Sequence, residues 1–426
     1  MNRRSFFTTA AAAGAAAAFA PTAIEHIQAA AKYAEPDPVK AATNEDFWME
    51  ARNAFTVDRT IINLNNGGCS PPSRYASEAM ARYLSMSDMA PVSYMWRQLD
   101  PKVETVRQML AEDFGCDPEE VAITRNASES LEICQYGIDL ERGDEIITTT
   151  QDYPRMINTW KQREAREGIV LKQVKFQVPP PSLDYITEQI ERAITPRTRI
   201  ILVCHVTNRT GQVLPVKDIC ELGRKRGIEV IIDGSHSYAH FPFKRDDLDC
   251  DYFGTSLHKW LMAPIGTGFL YVKKEKIRNL WPLMTGNPGQ ENDIRKFEEI
   301  GTHPAANRLA IAEAMTFHQS LGVDRKGARL RYLRERWSRR LEQIKGVGTL
   351  TPYEEGQAWG IGLLTVEGME PNELIGKLWN NHRILTTGII QEDEFQGVRV
   401  SPNIYTTLRE IDFFCDAVES IVKQRA

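Results

Sequence analysis

Between residues 100 and 275, short continuous apolar runs alternate with stretches of helical periodicity. This alternation limits the fold more than any other feature. The runs at 121–124 (VAIT), 145–149 (EIITT), 200–206 (IILVCHV) and 229–233 (EVIID) are rich in β-branched residues and bounded by turn signals, the pattern of strands buried on both faces. Helices are predicted between them over 128–138, 156–167, 183–194 and 216–226, the last stopped by Gly227. Parallel neighbours need a crossover and a helix supplies it, so the alternation predicts a mainly parallel central sheet sandwiched by helices. Pro179-Pro180-Pro181 is a stiff connector in front of the third helix.

After Gly301 the pattern changes. Long helical stretches over 305–321 and 324–344 lead to a smaller unit with strands expected at 361–366, 384–387 and 398–400 and helices over 371–381 and 408–423. The expected architecture is α/β: a large domain over 40–305, then linking helices and a small α+β domain over 306–426. With 52 Lys+Arg against 57 Asp+Glu, a formal charge of −5 and no long basic run, no nucleic-acid partner is expected, because phosphate-backbone binders cluster their positive charge. Function should lie in a pocket.

Residues 1–33 read as an address. Arg3-Arg4-Ser5-Phe6-Phe7 precedes an Ala-rich, mildly apolar stretch with small residues near Ala18-Phe19-Ala20, which resembles a twin-arginine signal. It implies the twin-arginine export machinery as a partner and a periplasmic location. The stretch is interrupted and shorter than the ~20 residues that span a bilayer, so no permanent membrane anchor is expected. The seven cysteines (69, 116, 134, 204, 220, 250 and 415) are scattered without a CxxC pair. Their odd count leaves at least one thiol unpaired.

The chemistry concentrates in Ile231-Ile232-Asp233-Gly234-Ser235-His236 and in Asp251-Tyr252-Phe253-Gly254-Thr255-Ser256-Leu257-His258-Lys259-Trp260. Asp233 ends a buried strand, and open α/β sheets bind ligands beyond the carboxyl ends of their strands. A lysine in a confined site can lose its proton and attack a carbonyl to form a Schiff base. Pyridoxal phosphate needs such a lysine together with an acidic partner for its ring nitrogen. A phosphate would suit Arg125-Asn126-Ala127-Ser128-Glu129-Ser130, which opens a helix. Tyr153 offers a flat aromatic neighbour at the same sheet edge. Arg399, in Val398-Arg399-Val400, offers a fork for a carboxylate.

The order of these elements resembles the class V aminotransferases among the fold-type I pyridoxal-phosphate enzymes, and the local sequences look most like the isopenicillin N epimerase-like branch. The resemblance runs from about Asn63 to the C-terminus. It implies pyridoxal 5'-phosphate as cofactor, Lys259 as the catalytic Schiff-base lysine and proton shuttle, and Asp233 as the ring-nitrogen partner. It further implies His236 and Asn208 near the ring hydroxyl, Tyr153 stacked on the ring, and Ala127, Ser128, Ser256 and His258 in the phosphate cup. Gly301-Thr302 matches a segment that reaches a phosphate across a homodimer interface. Asn66, in Asn65-Asn66-Gly67-Gly68, is implied on the substrate side and Arg399 at the substrate carboxylate. The implied activity is epimerase or aminotransferase chemistry at the Cα of an amino acid or peptide-derived amine, with a siderophore or other peptidic natural product as a periplasmic alternative.

One departure is informative. Cysteine desulfurases need a nucleophilic cysteine ahead of the carboxylate-binding arginine, and no cysteine occurs between Cys250 and Cys415, where the matching segment reads Thr386-Thr387-Gly388-Ile389-Ile390-Gln391. A persulfide route is not expected, while a C–S lyase without one stays open. A nicotinamide oxidoreductase is disfavoured because no GxGxxG opens a helix after an early strand. His236 and His240 lack the companions of a metal site, and none is expected. A binding protein without chemistry would have no use for Lys259.

Overall fold

The computed structural model describes residues 27–31 and 35–424. Most of the leader predicted over 1–33 lies outside the described residues. Ile27, inside the segment assigned to the leader, is buried in the main core.

Helices α1 (Arg74–Met89) and α2 (Val103–Phe114) precede a seven-stranded sheet. Its strands in chain order are β1 (Val121–Thr124), β2 (Glu145–Thr149), β3 (Val170–Val174), β4 (Thr198–Cys204), β5 (Glu229–Asp233), β6 (Tyr252–Ser256) and β7 (Gly268–Val272). In space they run β1-β7-β6-β5-β4-β2-β3. Strand β7 is antiparallel to both neighbours and the other pairs are parallel. The crossovers are α3 (Ala127–Gly137), α4 (Pro154–Glu167), α5 (Leu183–Ala193) and α6 (Val216–Arg226). Ile200 and Leu202 pack into one apolar cluster while Ile201 and Val203 pack into another, so the continuous apolar run of β4 feeds two cores, one on each face.

Register then places the site. Cys204 pairs with Asp233, and Asp233 with Gly254, so the carboxyl ends of β4, β5 and β6 lie side by side. Gly268 closes this edge. A Cβ there would stand 2.6 Å from the Thr255 carbonyl and 2.7 Å from Asn126 Cα, so only glycine lets β7, β6 and the start of α3 meet. Gly266 and Thr267 lead into β7 from outside it: Gly266 has φ of +84° and the strand starts at Gly268.

Two long helices follow, α7 (Ile311–Leu321) and α8 (Val323–Leu341). The stretch expected as one helix over 305–321 is broken, with a short turn at Ala306–Leu309 ahead of α7. The small unit holds β8 (Val347–Thr349), β9 (Gly362–Val366), α9 (Pro371–His382), β10 (Thr387–Gln391), β11 (Phe395–Val400) and α10 (Leu408–Lys423), its antiparallel sheet ordered β10-β11-β9-β8. Residues 384–387, expected as one strand of this sheet, divide. Ile384–Leu385 pairs in parallel with Ile62–Asn63, and Thr387 opens β10. With Leu64 in the small unit's core, residues 62–64, assigned to the body over 40–305, pack with the C-terminal domain. No helix among the described residues is long and apolar enough to cross a membrane. No disulfide joins the seven cysteines, of which five are buried and Cys69 is exposed.

Candidate active site

A cavity of about 600 Å³ opens over the carboxyl ends of β4, β5 and β6 and is closed from the small domain by Thr387, Ile389 and Arg399. It gathers Ala127, Ser128, Tyr153, Asn208, Asp233, His236, Ser256, His258, Lys259 and Arg399. Of the residues implied by sequence, it leaves out Asn66 and Thr302.

Lys259 follows β6 in the turn toward β7. Its Nζ lies 3.3 Å from His236 Nε2. Burial lowers its pKa from 10.5 to about 8, offset in part by Asp233 and reinforced by Arg399. At pH 7 about a tenth of this amine is therefore free to act as a nucleophile or base, far more than for an ordinary lysine. Asp233, at the end of β5, is buried and accepts the Ser235 N–H at 2.9 Å with Oδ1, which fixes the carboxylate at the sheet edge.

The phosphate end is built on α3. Asn126 caps this helix by accepting the Glu129 N–H at 2.9 Å. The Ala127 N–H donates to Ser256 Oγ at 2.9 Å, which leaves the Ser256 proton free to donate. Ser128, in the first turn, brings a backbone N–H with no intrahelical carbonyl to bond and a hydroxyl beside it. His258 Nδ1 is buried without a partner, and burial lowers that ring's pKa. The backbone N–H and hydroxyl of Ser128 and the Ser256 hydroxyl are donors that an anion can meet, with the His258 ring beside them.

On the opposite side stands Arg399. Its guanidinium donates from Nη1 to the Asn208 carbonyl and from Nη2 to Asn65 Oδ1, both at 2.8 Å. Its Nε is buried without a partner. Burial lowers the pKa to about 10, and both partners are neutral. A buried guanidinium without a carboxylate leaves charge to be met by a ligand. Tyr153 lines the cavity from the residue before α4. The orphaned donors, the free amine and the uncompensated guanidinium fit an anionic, carbonyl-bearing cofactor together with a carboxylate substrate.

Two implied residues lie outside this cavity. Asn66 is fully buried and spent on structure: its amide donates to the Asn63 carbonyl at 2.9 Å and the Ser401 carbonyl at 3.1 Å, and its Oδ1 accepts the Tyr405 hydroxyl at 2.5 Å. The loop instead offers Gly67 and Gly68 to the cavity, and Asn65 to Arg399. Thr302 is exposed in a separate recess with Trp96, Gly301 and His303, so within one chain it touches nothing in the site. Sequence reasoning also passed over Arg155, Met156 and Ile389, which line the cavity. Only their places after Tyr153 and ahead of Arg399 could have flagged them. His240 is no metal ligand here: its Nδ1 lies 2.7 Å from the His236 carbonyl and its Nε2 accepts the Gly360 N–H at 2.8 Å.

A half-buried lysine beyond parallel strands, an acid at the end of the adjacent strand and an anion cup at a helix start together define a fold-type I pyridoxal-phosphate enzyme. The family model described as aminotransferase class V matches residues 62–414, and the chain belongs to that family. It is 29% identical to the isopenicillin N epimerase of Streptomyces clavuligerus over 391 residues, covering 88% of this chain and 98% of the relative. It is 29% identical to a probable cysteine desulfurase of Synechocystis over 281 residues, 62% of this chain and 66% of that protein. Among solved structures, the cystine C–S lyase C-DES bound to cysteine persulfide superposes with a TM-score of 0.74 at 24% identity, covering 84% of this chain and 97% of its own. The Escherichia coli cysteine desulfurase CsdA gives a TM-score of 0.76 at 19% identity, covering 88% of this chain and 98% of its own.

Proposed function

We propose that this pyridoxal-phosphate enzyme moves the Cα proton of an amino acid or a peptide-derived amine, as an epimerase or an aminotransferase does. The observation that carries the reading is Lys259, half-buried with a lowered pKa in one cavity with the uncompensated Arg399. Bound pyridoxal phosphate supplies a carbonyl for the amine and an electron sink for the carbanion left at Cα. The protein's own part is positional. Arg399 grips the substrate carboxylate, Asp233 holds the ring nitrogen protonated, and Ser128, Ser256 and His258 take the phosphate. Lys259 removes the Cα proton and carries it.

The near full-length likeness to isopenicillin N epimerase favours return of the proton to Cα. Turnover of a candidate amino acid in deuterated water separates the outcomes. Inversion with deuterium at Cα is the expected result, release of an oxo acid gives the aminotransferase, and release of sulfide or persulfide from a sulfur amino acid would replace both with a C–S lyase. The cofactor-loaded protein is expected to absorb in the visible, and borohydride to fix the adduct on Lys259.

Export belongs to the same proposal. The Arg3-Arg4 leader supports passage through the twin-arginine route, which carries folded proteins and so lets a cytoplasmic cofactor be loaded first. A periplasmic peptidic natural product, such as a siderophore side chain, is then the proposed substrate class. Cell fractionation of wild type and an Arg3→Lys, Arg4→Lys variant is expected to show only the wild type outside the cytoplasm; a variant that still arrives there defeats the export reading. The matched Gly301-Thr302 segment supports a homodimer in which Thr302 of one protomer completes the phosphate cup of the other.

A further inference from the structure

His236 sits between Lys259 and a chain of hydrogen bonds whose directions can be assigned one by one. The His240 Nδ1 lies 2.7 Å from the His236 carbonyl, an oxygen that can only accept, so that nitrogen carries a proton. The other nitrogen of His240 accepts the Gly360 N–H at 2.8 Å. His240 is therefore neutral with its tautomer fixed. Its ring stacks on Trp260 with centroids 3.7 Å apart and planes 8° from parallel. The Trp260 carbonyl accepts a hydrogen bond from the buried Lys326 Nζ. The indole is thus clamped at ring and backbone.

The clamped indole aims its Nε1–H at His236 Nδ1 over 3.4 Å. An indole N–H can only donate, so His236 Nδ1 must accept. Burial holds the His236 pKa well below its ordinary value, and the single proton of the neutral ring is left on Nε2, 3.3 Å from Lys259 Nζ. We propose that Trp260 is a positioning residue that sets the tautomer of His236, so that a fixed Nε2–H faces Lys259. The arrangement has a chemical direction. A Lys259 ammonium would press a further N–H against a nitrogen that already bears one, whereas the free amine accepts that N–H. The network therefore supports the form of Lys259 that can react. The significance of the tautomer for catalysis rests on the assignment of Lys259 as the Schiff-base lysine; the tautomer itself follows from the hydrogen bonds alone.

The test is nitrogen NMR of the full chain labelled with ¹⁵N-histidine and freed of cofactor, with the His236 signals among the eight histidines identified by their loss in His236→Gln. Wild type is expected to show a protonated Nε2 and a bare Nδ1 at His236. Trp260→Phe, which keeps an aromatic face for His240 but removes the donor, is expected to lose that single-tautomer pattern while the His240 signals stay in place. Its rate of pyridoxal-phosphate uptake should fall as well. A protonated Nδ1 in wild type, or a His236 pattern unchanged in Trp260→Phe, overturns the proposal. Should Trp260→Phe fail to fold, the wild-type spectrum decides alone. A protein that shows the expected tautomer yet stays colourless on adding pyridoxal phosphate would overturn the cofactor role of Lys259 and leave the tautomer assignment standing.

Discussion

At the scale of single residues, burial does most of the chemistry. Lys259 has a pKa near 8 because desolvation outweighs the attraction of Asp233, and the sign of the consequence is fixed. Below that value the ammonium dominates and cannot attack a carbonyl; above it the amine dominates. Uptake of pyridoxal phosphate by cofactor-free protein, followed by growth of the visible band, is expected to rise about tenfold per pH unit below 8 and level off above it, whereas an ordinary lysine would keep climbing toward 10.5. Lys259→Ala should form no covalent adduct and lose at least ~10²–10⁴-fold in turnover. Arg399→Lys keeps the charge but not the fork that spans Asn208, Asn65 and a carboxylate. Losing one charged hydrogen bond costs about 2 kcal/mol, roughly thirtyfold in kcat/KM, carried mainly by KM if the arginine binds ground and transition states alike. Lys259, Asp233 and Arg399 were legible in the sequence because each sits where an apolar run ends or is embedded in one. Asn66 was misread because a loop's spacing does not say which of two adjacent asparagines turns inward, and here tertiary hydrogen bonds from Tyr405 and to Ser401 decide it.

At the scale of elements, the strands that sequence revealed are those buried on both faces. Strands β2, β4 and β5 stand in the middle of the sheet, and their uninterrupted apolar runs say so. Strand β3 went unseen because it is an exposed edge: Lys172 and Gln173 break its pattern and its residues are half-exposed, whereas the other edge, β1, is buried throughout and was legible. The division of 384–387 was invisible for a different reason, since Ile384–Leu385 pairs with a segment more than three hundred residues earlier in the chain. What the elements do for the site depends on close approach. Gly268 allows β7 to touch the cap of α3, and a methyl group there would meet backbone on two sides. Gly268→Ala is expected to lower stability by about 1–3 kcal/mol in denaturant unfolding, the cost of overpacking a rigid contact. It should also weaken phosphate binding, because the start of α3 must move. A fall in stability with unchanged affinity for pyridoxal phosphate would show that the cap of α3 does not depend on this contact.

At the scale of the whole molecule, the two units share one cavity, and Thr302 stands apart from it. The recess that holds Thr302 also exposes Trp96, while Met89, Val92 and Ile265 show more than half of their surface. The proposed homodimer would give these exposed apolar side chains something to pack against. In a symmetric pair each site would take Lys259 from one chain and Thr302 from the other. This gives a test that needs no structure. Thr302→Glu would set a carboxylate against the cofactor phosphate and weaken its binding, and Lys259→Ala removes the base, so each variant alone is expected to be nearly inactive. Unfolded together and refolded, half of the dimers are mixed, and each mixed dimer holds one site with an intact Lys259 facing an intact Thr302. About a quarter of wild-type activity should therefore return if pairing is random and the sites act independently. If Thr302 served its own chain's site, every site in the mixture would carry one lesion and no activity would return. Sedimentation of the same mixture checks that dimers formed, so a failure of assembly and a failure of the shared-site reading give different results.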